Sequence, residues 1–172
     1  MIERSFAVSI DPGDLHFNSA HFITFNGCCE NLHGHNFHVR VAASGENGSD
    51  AFVVDFVLLS QLAREVCATL HDKILLPGRS EQVRVRQTER GVEVESYDKY
   101  FVFPEDNCAV LPIENTTAEM LASYVCDRLV TNLDEKGALA NVRSIEVQVE
   151  EADRQWGICR RELGRGGEQI PS

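Results

Sequence analysis

The run His33-Gly34-His35-Asn36-Phe37-His38-Val39-Arg40-Val41 constrains this chain more than any other stretch. Read as a strand, it places residues two apart on one face, so His33 and His35 project together while Asn36 and His38 point the other way. Just before it, Cys28-Cys29-Glu30-Asn31-Leu32 adds two thiols and a carboxylate. Phe17-Asn18-Ser19-Ala20-His21-Phe22 is also strand-like, and a reversal through Asn26-Gly27 brings His21 alongside His33 and His35. Three converging histidines that leave one position open are the pattern of a catalytic zinc, whereas structural zinc closes its shell with four protein ligands rich in Cys. Adjacent residues on an extended chain face opposite ways, which argues against Cys28 and Cys29 both joining the site. His38, on the other face, reads as an ordinary surface residue.

Around this segment the periodicity predicts an α+β domain. Residues 2–10 and 15–25 read as strands around Asp11-Pro12-Gly13-Asp14, and the histidine strand runs to about Ser44. Asp55 caps a helix to about Leu70, with Leu59, Leu62, Ala63, Val66 and Leu70 on one stripe. Val83–Arg86 and Val92–Glu95 alternate around Glu89-Arg90-Gly91 as a hairpin, and Tyr100–Phe103 adds a strand. Thr116 with Glu119 three residues later forms a capping box for a second helix that buries Leu121, Val125 and Leu129. Residues 142–151 and 156–163 are the last two strands. The expected organisation is a single domain over 1–163 with a hairpin insertion at about 79–105, followed by a flexible tail over 164–172.

A chain of 172 residues with a net charge of −11 lacks the basic surface that non-specific nucleic-acid binding needs. It has no long apolar run for a membrane span and no basic, apolar and small-residue leader at its N-terminus, so the expected location is the cytoplasm. Its six cysteines are scattered and read as thiols.

One carboxylate stands out. In Ile145-Glu146-Val147-Gln148-Val149-Glu150-Glu151, alternation puts Glu151 on the apolar face, unless the strand has already ended in solvent there.

The elements Phe17-Asn18-Ser19-Ala20-His21 and Cys29-x-x-x-His33-Gly34-His35 resemble the 6-pyruvoyl-tetrahydropterin synthase and 6-carboxytetrahydropterin synthase family. The resemblance implies a tunnelling fold (T-fold): an antiparallel sheet with two helices on one face, closed into a barrel by trimers, two of which stack into a homohexamer. It implies Zn2+ held by His21, His33 and His35, Cys29 as the base, and Glu151 as the anchor of the pterin. Thr117 and Glu119 match the family's Thr-x-Glu element at the start of the second helix, which contacts the pterin ring. The family's Asp-His pair, which helps activate the cysteine, stands here in inverted order as His71-Asp72.

The Cys29-to-His33 spacing is similar to the carboxy type. That implies a lyase acting on 7,8-dihydroneopterin triphosphate, a small-molecule substrate of the queuosine and deazaguanine route, with release of acetaldehyde. Near zinc and imidazoles, a lowered thiol pKa would supply Cys29 as thiolate. Glu30 keeps another branch open, since family members with Glu at this spacing from His-Gly-His are associated with an aldolase-like folate-route reaction. It is equally readable as a solvated loop residue. Pyruvoyl-type elimination and a non-catalytic pterin-binding module are the remaining alternatives.

Overall fold

The computed structural model describes residues 5–11, 13 and 15–164. Pro12 and Asp14 of the first expected turn, and the expected tail beyond residue 164, lie outside the described residues. The sheet is built on β5 (His33–Gly45). Its 13 residues span about 43 Å at 3.3 Å per residue, enough to seat two short strands end to end on one edge.

Those strands are β1 (Phe6–Ile10) and β2 (His16–His21), and both run antiparallel to β5. Ile10 pairs with Val41, Phe17 with Phe37, and His21 with His33. β1 and β2 therefore follow one another along one partner. On the other edge β11 (Val142–Ala152) pairs antiparallel with β5, and β12 (Gln155–Glu162) pairs antiparallel with β11.

At the far side of β2 the sheet departs from the expected antiparallel pattern. β6 (Lys73–Pro77) lies parallel to β2, and β10 (Cys108–Leu111) lies parallel to β6. The cause is the helix that precedes β6: α1 (Phe56–Leu70) carries the chain back along the direction of β2. The Ser19 hydroxyl donates to Leu70 O at 2.6 Å, and the Asp72 N–H donates to Asn18 O at 2.7 Å, locking the helix end to β2. The described sheet thus has seven strands, in the order β10-β6-β2-β5-β11-β12 with β1 beside β5.

The helices form where the periodicity places them. Asp55 accepts from Val57 N at 2.6 Å and Leu58 N at 3.1 Å, satisfying two donors that α1 leaves free. Leu59, Leu62, Ala63, Val66 and Leu70 are buried, as is Cys67. The second helix, α2 (Ala118–Glu135), corrects the expected capping box. Its N-cap is Thr117, whose hydroxyl accepts from Met120 N, while the Thr116 hydroxyl donates to Phe22 O at 2.6 Å. Gly137 at φ +65 ends α2, with Ala138 N–H bonded to Leu133 O and Gly137 N–H to Asp134 O, a left-handed exit that favours glycine. Both helices share one apolar core with Phe17, Phe37, Val39, Val41, Val147 and Val149, so they cover the same face of the sheet. The architecture is α+β, a curled antiparallel-rich sheet with two helices, the arrangement that the resemblance to the tunnelling fold implies.

The segment expected to be an insertion folds as a separate antiparallel sheet of β7 (Arg84–Thr88), β8 (Gly91–Ser96) and β9 (Lys99–Phe103). The reversal before the histidine strand is also present: β3 (Thr24–Phe25) and β4 (Cys28–Cys29) pair around Asn26 and Gly27, both at positive φ. A second small core of Phe22, Cys29, Leu76, Val83, Val92 and Val94 joins this hairpin to the insertion. All six cysteines are free, and among the described residues no helix is long and apolar enough to cross a membrane.

Candidate active site

His21 closes β2 and its register partner His33 opens β5, with His35 two residues further on the same face. The ring centroids lie 4.7 Å apart for His21 and His33, 5.3 Å for His21 and His35, and 5.0 Å for His33 and His35. One ligand atom from each imidazole and one from the Glu151 carboxylate all fall within 4.8 Å of one another.

Backbone carbonyls orient two of these rings. His21 Nδ1 donates to Thr116 O at 2.8 Å, and His33 Nδ1 donates to Asn31 O at 2.8 Å. A carbonyl can only accept, so each ring carries a proton on Nδ1, which leaves Nε2 as the nitrogen that can bind a metal. This is how proteins hold metal-ligating histidines.

His21 Nε2 is buried and makes no hydrogen bond, although Glu151 Oε1 lies 3.1 Å away and also approaches His35 Nε2 at 3.6 Å. A bare imidazole lone pair facing a carboxylate oxygen needs a cation or a proton between them. The donor set therefore fits a metal ion of nitrogen and oxygen preference, zinc among them. Burial, reinforced by the charges of His33 and His35, lowers the His21 pKa to about 4 against the pull of Thr116, which keeps it in the neutral form that binds metal.

Glu151 lies near the end of β11, where the pairing with β12 shifts register between Glu150 and Ala152. Burial raises its pKa, with Glu30 and Glu119 adding to the rise and His35 and His33 opposing it. Glu30 and the first turn of α2 thus belong to the surroundings of the same carboxylate. Thr117 is half-buried there as the helix cap and Glu119 is exposed.

Cys29 is placed differently from expectation. It is 6% exposed, packed in the second core against the insertion, and burial pushes its thiol pKa up in spite of Ser96 and Lys99 nearby. The direction is opposite to the expected lowering: burial among Phe22, Leu76, Val83, Val92 and Val94 raises the thiol pKa, and Asp98 and Glu30 add to the rise. Glu30 next to it is half-buried, with its N–H bonded to Ile23 O.

Within one chain His71 and Asp72 do not join the imidazole cluster. His71 Nδ1 accepts from Asn18 N at 3.4 Å, and its ring lies 6.0 Å from that of His16, which is paired with His38 on the opposite face from Phe17 and Phe37. Two groups escaped the sequence reading, the carbonyls of Asn31 and Thr116 that set the histidine tautomers. Main-chain oxygens leave no residue-type signal to find.

Residues 13–162 match the model of a family described as 6-pyruvoyl tetrahydropterin synthase. A protein of Methanocaldococcus jannaschii, provisionally named 6-carboxy-5,6,7,8-tetrahydropterin synthase, is 33% identical over 148 residues, which is 86% of this chain and 90% of that protein. The 6-pyruvoyltetrahydropterin synthase of Plasmodium vivax superposes with a TM-score of 0.86 at 28% identity, covering 94% of this chain and 100% of that one. It has also been solved with a catalytic glutamate replaced by alanine. The Plasmodium falciparum enzyme superposes with a TM-score of 0.84 at 29% identity, with the same coverage.

Proposed function

The chain belongs to the 6-pyruvoyl tetrahydropterin synthase family and is an enzyme of that family, and on this premise we propose that it is a zinc-dependent pterin lyase that cleaves the side chain of 7,8-dihydroneopterin triphosphate with Glu30 carrying the proton. What supports the choice of Glu30 is its place next to Asn31, whose carbonyl orients His33, whereas Cys29 is 6% exposed and enclosed in an apolar core. The Plasmodium vivax enzyme, with its catalytic glutamate, supports the same choice.

His21, His33 and His35 would hold the metal, which when bound polarises the hydroxyls of the substrate side chain. Glu151 accepts paired hydrogen bonds from the 2-amino group and ring N–H of the pterin, a contact that rejects ligands lacking those donors. Thr117 and Glu119 border the ring from the start of α2. Glu30 takes the proton of the second side-chain hydroxyl, and the bond between the first and second side-chain carbons breaks. Its electron pair passes into the C6=N5 imine of the ring, and Glu30 returns the proton to the first side-chain carbon. The products are the 6-hydroxymethyl dihydropterin and glycolaldehyde triphosphate, with no net oxidation.

A second reading keeps the carboxytetrahydropterin synthase reaction of the queuosine route, with Cys29 as base. It is favoured by the Cys29-to-His33 spacing and by the provisional name of the Methanocaldococcus jannaschii relative. That reaction releases acetaldehyde, and pyruvoyl-type elimination releases no aldehyde. Incubation with 7,8-dihydroneopterin triphosphate followed by aldehyde analysis separates the three. Glu30→Gln is expected to lower turnover around 10²-fold or more, with Cys29→Ala and the control Cys28→Ala much milder. The opposite ranking, or acetaldehyde as the product, overturns the assignment.

In the described sheet β10 and β12 are open edges, the liability that closure with further copies removes. The proposed assembly is a trimer, doubled into a hexamer, in which His71 and Asp72 would approach the site of another copy. Mass measurement in solution tests it.

A further inference from the structure

The insertion has no role in the mechanism just described, yet it packs on the loop that supplies the base. Val92, Val94 and Val83, all buried, turn one apolar face of the insertion onto Cys29 and Phe22. Phe101 of β9 stacks on Phe22 at 5.5 Å. Ser96, 2% exposed, donates its hydroxyl to Gln82 O at 3.0 Å, which ties the end of β8 back to the strap before β7 and holds Ser96 beside Cys29. At the β8–β9 turn, where Tyr97 adopts φ +51, Lys99 Nζ donates to Asn31 Oδ1. Asn31 is the residue whose carbonyl orients His33. The segment Cys29-Glu30-Asn31 is therefore gripped at both ends by the insertion, on Cys29 through apolar packing and on Asn31 through a charged hydrogen bond.

We propose that the sheet of residues 84–103 is a clamp that selects which side chain of the Cys29-Glu30 pair serves the site, sealing Cys29 away and leaving Glu30 to serve it, with Lys99 and Val94 as its positioning residues. Cys29 is enclosed in that core at the end of β4, and Glu30 just beyond it stays half-buried. The clamp sets reaction specificity without touching substrate. Its catalytic consequence rests on the assignment of Glu30 above, whereas the enclosure of Cys29 does not.

The test uses the full-length protein in a Cys28→Ala background, labelled with iodoacetamide and followed by peptide mass spectrometry. Buried thiols react through local opening, and loss of a charged hydrogen bond that holds the loop shut is expected to speed Cys29 labelling by about tenfold in Lys99→Ala. Val94→Ala is expected to do the same, and Lys99→Arg to return the rate to that of the parent. Cys67, buried in the main core, is the internal control and is expected to keep its rate. Turnover of Lys99→Ala is expected to fall through kcat, with recovery in Lys99→Arg. Cys29 labelling in Lys99→Ala at the parent rate, or Cys67 labelling that rises in step, overturns the clamp. Glu30→Gln with full turnover refutes the role of Glu30 and leaves the labelling result standing, so the two ideas fail separately.

Discussion

Acidification of the metal-free protein is expected to expose the state of His21. Its pKa is about 4 in the fold against 6.5 for a free imidazole, because burial strips water from the charged ring and His33 and His35 add to the cost, with the hydrogen bond to Thr116 opposing them. The folded state therefore binds fewer protons than the unfolded one between these values. Stability from this group is fully present above pH 6.5 and is lost as pH falls toward 4. The difference of 2.5 units, taken as 6.5 minus 4, corresponds to about 3 kcal/mol in full and about 2 kcal/mol by pH 5. Glu151 acts in the opposite sense, since a raised carboxyl pKa is a penalty relieved by acid. The assay is denaturant unfolding of chelator-stripped protein from neutral pH to about pH 4. His21→Asn is the comparison, because its amide can donate to Thr116 O as Nδ1 does but cannot ionise. The native chain is expected to lose the extra 2–3 kcal/mol and the variant to be spared it. Parallel loss in both would refute the neutral, metal-ready imidazole.

Three further outcomes follow from particular contacts. A Cβ on Gly157 would lie 2.3 Å from Ala118 C and 2.4 Å from Glu119 N, both backbone of the first turn of α2, so Gly157→Ala is expected to cost about 3 kcal/mol by displacing that turn. An unchanged unfolding midpoint would contradict it. Asp55→Ala removes the cap of α1 and is expected to cost about 1 kcal/mol, most of it recovered by Asp55→Asn, as read from urea titrations. Glu151→Gln is expected to weaken pterin binding about 10- to 100-fold at unchanged zinc content, measured by calorimetry and metal analysis; loss of zinc instead would make Glu151 a metal ligand.

How much of this was legible in the sequence depends on how far each signal reaches along the chain. The cap and stripe of α1 lie within one helix, and the alternation around Gly91 within one hairpin, so the local pattern specifies both. The three histidines needed one reversal, through Asn26 and Gly27. β6 and β10 escaped because Lys-Ile-Leu-Leu-Pro and Cys-Ala-Val-Leu are too short to show a period, and the buried end of β6 does not alternate. The α2 cap was misread by one residue because two threonines stand side by side. Only the tertiary bond from Thr116 to Phe22 O decides between them. Glu151 was legible through alternation, since the strand continues through it to Ala152.

The ambiguity between Cys29 and Glu30 is of another kind. Spacing to His33-Gly34-His35 measures how near a residue lies to the site and says nothing about which way it faces. In β4, Cys28 is exposed and Cys29 buried, and the strand ends before Glu30. The side Cys29 faces is set by residues more than fifty positions downstream. Val83, Val92 and Val94 read from the sequence as the apolar face of a hairpin with no partner in view, and Cys29 read as a thiol near a metal. Each was half of one contact. An apolar face on a small three-stranded sheet must be covered, because a sheet hydrophobic on one face buries it against another element. Here what covers it is the residue that the motif nominates as base. The enclosure that stabilises the sheet of residues 84–103 is the same one that raises the Cys29 pKa, so the stability of this sheet and the chemistry of the loop are coupled.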